Sequence, residues 1–175
     1  MLPSEKEWTD ALIARHGTEL HNRFSSATVA VCGLGGLGSN IAIALARAGI
    51  GKLLLIDFDR VDITNLHRQQ YKANQIGLYK TEALQDNLKE INPYIETEIH
   101  TIRLDENNAK DMLSDADIIC EAFDNAECKA MLTNFVLAEM PDEYIVAASG
   151  MAGLDSANSI KTRKVSRNVE QLQIV

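Results

Sequence analysis

Arg68, Lys80 and Asp124 are the side chains of this sequence whose chemistry most needs a partner. Asn65 and Gln69 flank Arg68, and together the three form a compact set of donors suited to an anionic phosphate. They lie in the polar stretch Asp59–Tyr71, which otherwise reads as a solvated loop without periodicity. Lys80 stands at the start of a predicted helix over 81–91, where a positive charge opposes the helix dipole. A bound phosphate explains it better than helix design does. Asp124 follows a buried apolar run, in Phe123-Asp124-Asn125. As a structural residue it caps the helix predicted from about Ala126. As a functional one it turns a carboxylate toward the phosphate site, which Mg²⁺ would favour.

Such groups need a backbone that an anion can approach. The stretch Val29–Asp59 supplies one. Val29–Cys32 is an apolar strand that enters a glycine turn at Gly33, Gly35, Gly36 and Gly38. Ile41, Ala42, Leu45, Ala46 and Ala48 follow at spacings suited to a helix packed on a sheet, predicted over 39–48, and Gly49 is placed to end it. Leu53–Ile56 is a second buried strand with Asp57 at its carboxyl end, where an acid can hold ribose hydroxyls. Strand, glycine turn, helix, strand and acid occur in the order of the nucleotide-binding half of a doubly wound α/β fold. The glycines admit a phosphate, and the helix N-terminus offers it unpaired N–H groups. The motif does not choose between a dinucleotide and ATP.

The remaining elements carry this unit. Helices are predicted over 5–20, with Trp8, Leu12, Ile13 and His16 on one face, and over 107–113. Strands are predicted over 95–102, 117–122, 144–148 and 158–165, and Gly150 and Gly153 break the chain. His16 and His21 read as surface or satisfied histidines, since no metal-ligand pattern joins them. The basic cluster Lys161, Arg163, Lys164 and Arg167 reads as a solvated face. Cys32, Cys120 and Cys128 suggest neither a disulfide framework nor a C-x-x-C zinc site, and burial is the expected role of all three.

With 175 residues the chain fits one domain. Its formal charge of −8 disfavours general nucleic-acid binding, which needs a basic footprint. No apolar run approaches the ~20 residues of a membrane span, and the N-terminus lacks a signal pattern. A cytoplasmic protein is expected.

The residues now in hand resemble the ThiF/MoeB family, whose fold is shared with the adenylation domains of ubiquitin-activating enzymes. The carrying motifs are Gly33–Gly38, Asp57-Phe58-Asp59, Asn65-Leu66-His67-Arg68-Gln69, Lys80 and Asp124-Asn125, in family order. The run Gly150–Lys164 looks closest to short, zinc-free ThiF-like proteins. The resemblance implies a mostly parallel Rossmann-like sheet with helices on both faces. Residues 1–26 would form an N-terminal helical segment, and 27–175 an adenylation domain truncated at its C-terminus. It implies ATP-dependent adenylylation of the Gly-Gly terminal carboxylate of a ubiquitin-like sulfur carrier of the ThiS type, in thiamine biosynthesis. Arg68 and Lys80 would then supply cations, Asn65 and Gln69 would orient phosphate oxygens, and Asp124 would hold Mg²⁺. Asp57 and Asp59 would lie near the nucleotide, with Asp57 on the ribose and the glycine turn at the α-phosphate. The family also implies a homodimer, with Arg15 as the candidate for an arginine reaching across it.

Two departures bear on chemistry. Family members with structural zinc carry paired C-x-x-C motifs, which are absent here, so no zinc is expected. No cysteine follows Cys128, so no covalent nucleophile is assigned and the reaction is expected to stop at the acyl adenylate. Other readings remain open at this point. One is an NAD(P)-dependent oxidoreductase, which leaves Asn65–Gln69 and Lys80 without a role. Another is a non-catalytic module that holds a carrier. A third is adenylation of a small-molecule or RNA carboxylate.

Overall fold

The apolar runs at 28–32 and 52–56 form adjacent parallel strands, and their alternation feeds two separate cores. Val29, Val31, Leu53 and Leu55 are buried in one cluster. Ala30, Cys32, Leu54 and Ile56 are buried in the other, on the opposite face. The structure is a computed structural model that describes residues 2–148 and the backbone of 160–166 and 169–174. Gly150, Gly153 and Arg167 lie outside the described residues.

The strands are β1 (Thr28–Cys32), β2 (Lys52–Ile56), β3 (Glu96–His100), β4 (Ile118–Glu121), β5 (Tyr144–Ala148), β6 (Ile160–Ser166) and β7 (Val169–Ile174). They form one sheet in the order β3-β2-β1-β4-β5-β7-β6. Every described pairing is parallel except β6 with β7. The order reverses at β1 and β4, so the connections leaving their carboxyl ends diverge and open a crevice between them.

The helices are α1 (Glu5–His16), α2 (Thr18–Ser26), α3 (Gly36–Ala48), α4 (Lys80–Ile91), α5 (Ala109–Leu113) and α6 (Ala126–Glu139). Ala42 and Ala46 of α3 and Ala83, Leu84 and Leu88 of α4 cover the first core. Ala109 and Leu113 of α5 and Leu132 and Val136 of α6 cover the second. A fully buried Leu or Ile contributes about 1.5–3 kcal/mol. The strands and these four helices therefore hold the fold, whereas α1 buries no residue completely.

The single helix expected over 5–20 is two. Gly17 adopts φ 80° between α1 and α2, a conformation that a side chain disfavours. The chain turns there and brings the His21 ring parallel to that of His16, with centroids 6.2 Å apart. His21 is consequently buried, not at the surface, and its Nδ1 has no hydrogen-bond partner. Trp8, Leu12, Ile13 and His16 do share partial burial. Helices α3 and α4 begin earlier than the periodicity implies, at Gly36 and Lys80, because backbone bonding continues through residues that carry no apolar signal. Helix α5 begins later, at Ala109, because the Asp105 carboxylate accepts from Asn107 and Asn108 N–H in a preceding turn.

Candidate active site

The carboxyl ends of β1, β2 and β4 surround a cavity of about 570 Å³. The glycine turn forms its floor. Gly33 N donates to Ile56 O at 2.9 Å, tying the turn to the end of β2. Helix α3 starts within the turn and has neither a side-chain cap nor an acid in its first turn, so it offers N–H groups to an anion. Gly38 lets that helix approach, since a Cβ there would lie 1.8 Å from Gly33 O. Its role is packing; Gly33, Gly35 and Gly36 line the cavity and Gly38 does not.

Asp57 secures the turn from below. Its Oδ2 accepts from Leu34 N at 2.6 Å and its Oδ1 from Asp59 N at 2.7 Å. Only 8% of the residue is exposed. Burial pushes its carboxyl above the usual range, and Lys80 and these two N–H donors oppose that shift. Both oxygens expected at a ribose are therefore engaged by backbone. Tyr71 adds a further tie, its hydroxyl donating to Leu34 O at 2.7 Å.

Lys80 is buried as well, at 6% exposure. Its Nζ lies 2.7 Å from Asp59 Oδ2 and 4.0 Å from Asp57 Oδ2. The two carboxylates thus already compensate the charge that the helix dipole opposes, which no spacing in the sequence announces. Asp59 is the more exposed of the two partners.

Arg68 and Gln69 lie over the turn. The Arg68 side chain passes within 3.4 Å of a Cβ position on Gly36, and Gln69 Nε2 within 3.8 Å of one on Gly35. The loop carrying them is stitched to α3: Gln70 N donates to Ser39 Oγ, and Asn40 Nδ2 donates to Gly36 O and Arg68 O. Gln69 is 7% exposed, and its amide oxygen has no partner. Asn65 does not line the cavity. Its carbonyl accepts from Arg68 N and Gln69 N, so it shapes the turn that presents them. Arg15 is exposed on α1 and also lies off the wall.

Asp124 is exposed on the wall and makes no hydrogen bond or ion pair among the described residues. The cap of α6 is Asn125 instead, whose Oδ1 accepts from Glu127 N at 2.9 Å and Cys128 N at 3.0 Å. Among the described residues no group of three or more His, Cys, Asp and Glu side chains converges on a metal site. A carboxylate without a partner among the described residues, on a cavity of about 570 Å³, fits one ligand to a divalent ion that arrives with its nucleotide.

The wall also carries residues that sequence reasoning passed over. Ile56, Phe58, Ile102, Leu104 and Phe123 make it apolar on one side, and Arg103 adds a third cation. The exposed aromatic within Asp57-Phe58-Asp59 was the available signal. Cys128 is partly exposed on this wall, contrary to its expected burial, because it sits in the first turn of α6. Cys32 and Cys120 are buried as expected. Burial raises the Cys32 thiol beyond any physiological pH and pushes Cys120 up to about 11.

Residues 9–165 match the model of the ThiF family. The chain belongs to the ThiF family. It is 35% identical to the adenylyltransferase and sulfurtransferase MOCS3 of Caenorhabditis briggsae over 132 residues, which are 74% of this chain and 33% of that protein. It is 46% identical to ubiquitin-like modifier-activating enzyme 5 of Caenorhabditis elegans over 84 residues, or 48% of this chain and 20% of that one. The chain thus spans a third or less of these curated relatives. Among solved structures, the E. coli tRNA N6-threonylcarbamoyladenosine dehydratase TcdA, in complex with AMP, has a TM-score of 0.83 at 27% identity. That match covers 93% of this chain and 67% of TcdA. The doubly wound, mostly parallel fold expected for this ThiF-family chain is the one observed.

The engagement of Asp57 gives a direct test. Asn offers one acceptor where Asp57 offers two, so Asp57→Asn leaves a backbone N–H unpartnered and weakens the compensation of Lys80. Loss of about 1–3 kcal/mol of stability is expected, read from chemical denaturation.

Proposed function

We propose that this chain adenylylates the C-terminal carboxylate of a ubiquitin-like carrier ending in Gly-Gly, at the expense of ATP. The observation that supports this most strongly is the convergence of Arg68, Lys80 and a free Asp124 on a glycine turn with an uncapped helix N-terminus. The names of two relatives, an adenylyltransferase and a ubiquitin-like modifier-activating enzyme, point the same way. A sulfur carrier of the ThiS type, serving thiamine biosynthesis in the cytoplasm, is our reading of the substrate. No described helix is long and apolar enough to cross a membrane.

In the reaction a carboxylate oxygen bonds to the α-phosphorus while the bond to the bridging β-oxygen breaks. Pyrophosphate leaves with the electron pair. The attacking carboxylate is already ionised, so no general base is required. What the site must supply is positive charge where negative charge accumulates. Arg68, which lies over the turn, would meet the α-phosphate, and Gln69 Nε2 beside it would donate to a phosphate oxygen. Lys80 exchanges its bond to Asp59 for a phosphate oxygen. Mg²⁺, when bound, neutralises phosphate charge, and Asp124 would hold it. The apolar side of Ile56, Ile102, Leu104 and Phe123 suits a purine. Asp59, more exposed than Asp57, is the better placed acid for a ribose hydroxyl. The nicotinamide reading is the weaker one, because it leaves Arg68, Gln69 and Lys80 on the cavity wall without a role.

A second reading follows from the similarity to TcdA, whose name places it on a tRNA. The −8 charge of this chain weighs against a nucleic-acid substrate. Exchange of labelled pyrophosphate into ATP, run with Gly-Gly carriers and with tRNA in parallel, separates the two. Exchange driven by tRNA and by no carrier overturns the carrier reading.

Asp124→Ala should fold normally and lose about a hundredfold or more of carrier-dependent exchange, the ~3 kcal/mol typical of one charge contact in a transition state. Unchanged exchange removes Asp124 from the site. Sulfur is expected to come from a separate donor, since the thiols of Cys32 and Cys120 are buried and raised. Incubation with ATP and carrier alone should leave the protein at its native mass beside adenylylated carrier. A thiol-released adduct that disappears in Cys128→Ser contradicts this. We also propose a homodimer, with Arg15 of one copy reaching the other's nucleotide. Light scattering at micromolar concentration should give twice the chain mass, and mixing Arg15→Ala with Arg68→Ala chains should restore some exchange. A monomer, or no restoration, counts against it.

A further inference from the structure

Glu121 is among the largest fully buried side chains of the molecule, with 2% of the residue exposed, and nothing in the reaction proposed above uses it. It is the last residue of β4. Its Oε1 accepts from Phe123 N at 2.7 Å, and both its oxygens receive Lys129 Nζ, at 3.1 and 3.0 Å. Lys129 lies one turn into α6 and donates a further bond to Ala148 O, at the end of β5, at 3.1 Å. One ion pair therefore ties the carboxyl ends of two neighbouring strands to the first turn of a helix.

The segment Phe123–Asn125 sits at the centre of this knot. Phe123 is held through its N–H by Glu121. Asn125 is held from the other side, with Oδ1 capping α6 and its carbonyl accepting from Lys129 N at 3.1 Å. Between them Asp124 has no hydrogen-bond or ion-pair partner among the described residues, and it lines the cavity. Both neighbours are fixed and the central carboxylate is free, which is the arrangement expected of a ligand whose position matters. Buried ion pairs are poor devices for stability, because desolvation offsets their attraction. Burial pushes the Glu121 carboxyl upward, and Lys129 and backbone hydrogen bonds at Phe123 and Ala148 oppose that shift.

We propose that Glu121 and Lys129 are positioning residues that set the Asp124 carboxylate for a metal-complexed nucleotide. The proposal rests on the reading of the cavity as an ATP site. It makes the pair matter for the metal-dependent part of nucleotide binding and not for binding as such.

The test is ATP titration by calorimetry, in EDTA and in excess Mg²⁺, with the full chain. Lys129→Met combined with Glu121→Gln removes both charges, so that no buried charge is stranded. Thermal melting and metal-free ATP affinity within twofold of the parent check that this variant is folded. The affinity gained on adding Mg²⁺ should fall at least tenfold. Asp124→Asn should lose the same gain, and joining all three substitutions should lose no more than either set alone. A full magnesium-dependent gain in the double variant overturns the proposal, as does a loss that multiplies with Asp124→Asn. Absence of any gain in the parent chain overturns it too. If the double variant does not fold, Glu121→Asp decides. It keeps the charge and draws the carboxylate back by one carbon, so the gain should fall while metal-free affinity holds; an unchanged gain refutes positioning. Pyrophosphate exchange in the parent chain reads the adenylation proposal separately, so either can fail without the other.

Discussion

A single buried carboxylate, that of Asp57, joins the parts of the site that the chain delivers from three directions. It receives Leu34 N from the glycine turn and Asp59 N from the end of β2, and it lies 4.0 Å from Lys80 Nζ on α4. Without it the turn would have an unpaired N–H at its tightest point, and a buried lysine would face one exposed acid. Desolvation raises the energy of the ionised carboxylate, and the two backbone donors and the lysine lower it. The balance among these terms is local, so the geometry of the floor is set before any ligand arrives. The surrounding elements then need only bring their ends to this point, which a parallel sheet with its reversal at β1 and β4 does.

Lys80 illustrates how such a site avoids the penalty of a buried charge. A lysine at 6% exposure would be costly in the interior with its charge unpaired. Asp59 pairs it at 2.7 Å, within reach of the cavity. Because Asp59 is half exposed, its carboxylate could be met by water or a ribose hydroxyl if, as proposed, the lysine moves to a phosphate. Such an exchange would trade one ion pair for another of the same kind.

Much of this was legible in the chain. The glycine turn, the two buried strands and the acid after the second are local signals of a few residues each, and the structure places them as their order implies. Arg68, Gln69, Lys80 and Asp124 all reach the same cavity wall, although more than fifty residues separate the first from the last. What was not legible depends on non-local contacts. The acceptor duty of Asp57 needs the position of Leu34, and the pairing of Lys80 with Asp59 needs a loop of unknown course. The Asn65 carbonyl holds the turn that presents Arg68 and Gln69, a backbone role that its polar side chain does not announce. Asn125 and Asp124 compete for one cap position, and adjacent Asx residues give no sequence rule that orders them. The break at Gly17 is masked because the pattern of α1 continues past it. The Glu121–Lys129 pair spans one strand end and one helix turn, so no periodicity reveals it.

The charges on the cavity wall constrain what can bind there. Asp57, Asp59 and Asp124 stand against Arg68, Lys80 and Arg103, and these three acids and three bases cancel. A triphosphate brings several negative charges into this neutral enclosure. The cations alone cannot neutralise it, since Lys80 is shared with two carboxylates from the start. A nucleotide arriving with a divalent ion, as proposed above, would bring less of that negative charge, and Asp124 would gain a partner at the same time. On the adenylation proposal, departure of pyrophosphate would remove most of the added charge and let Lys80 return to Asp59.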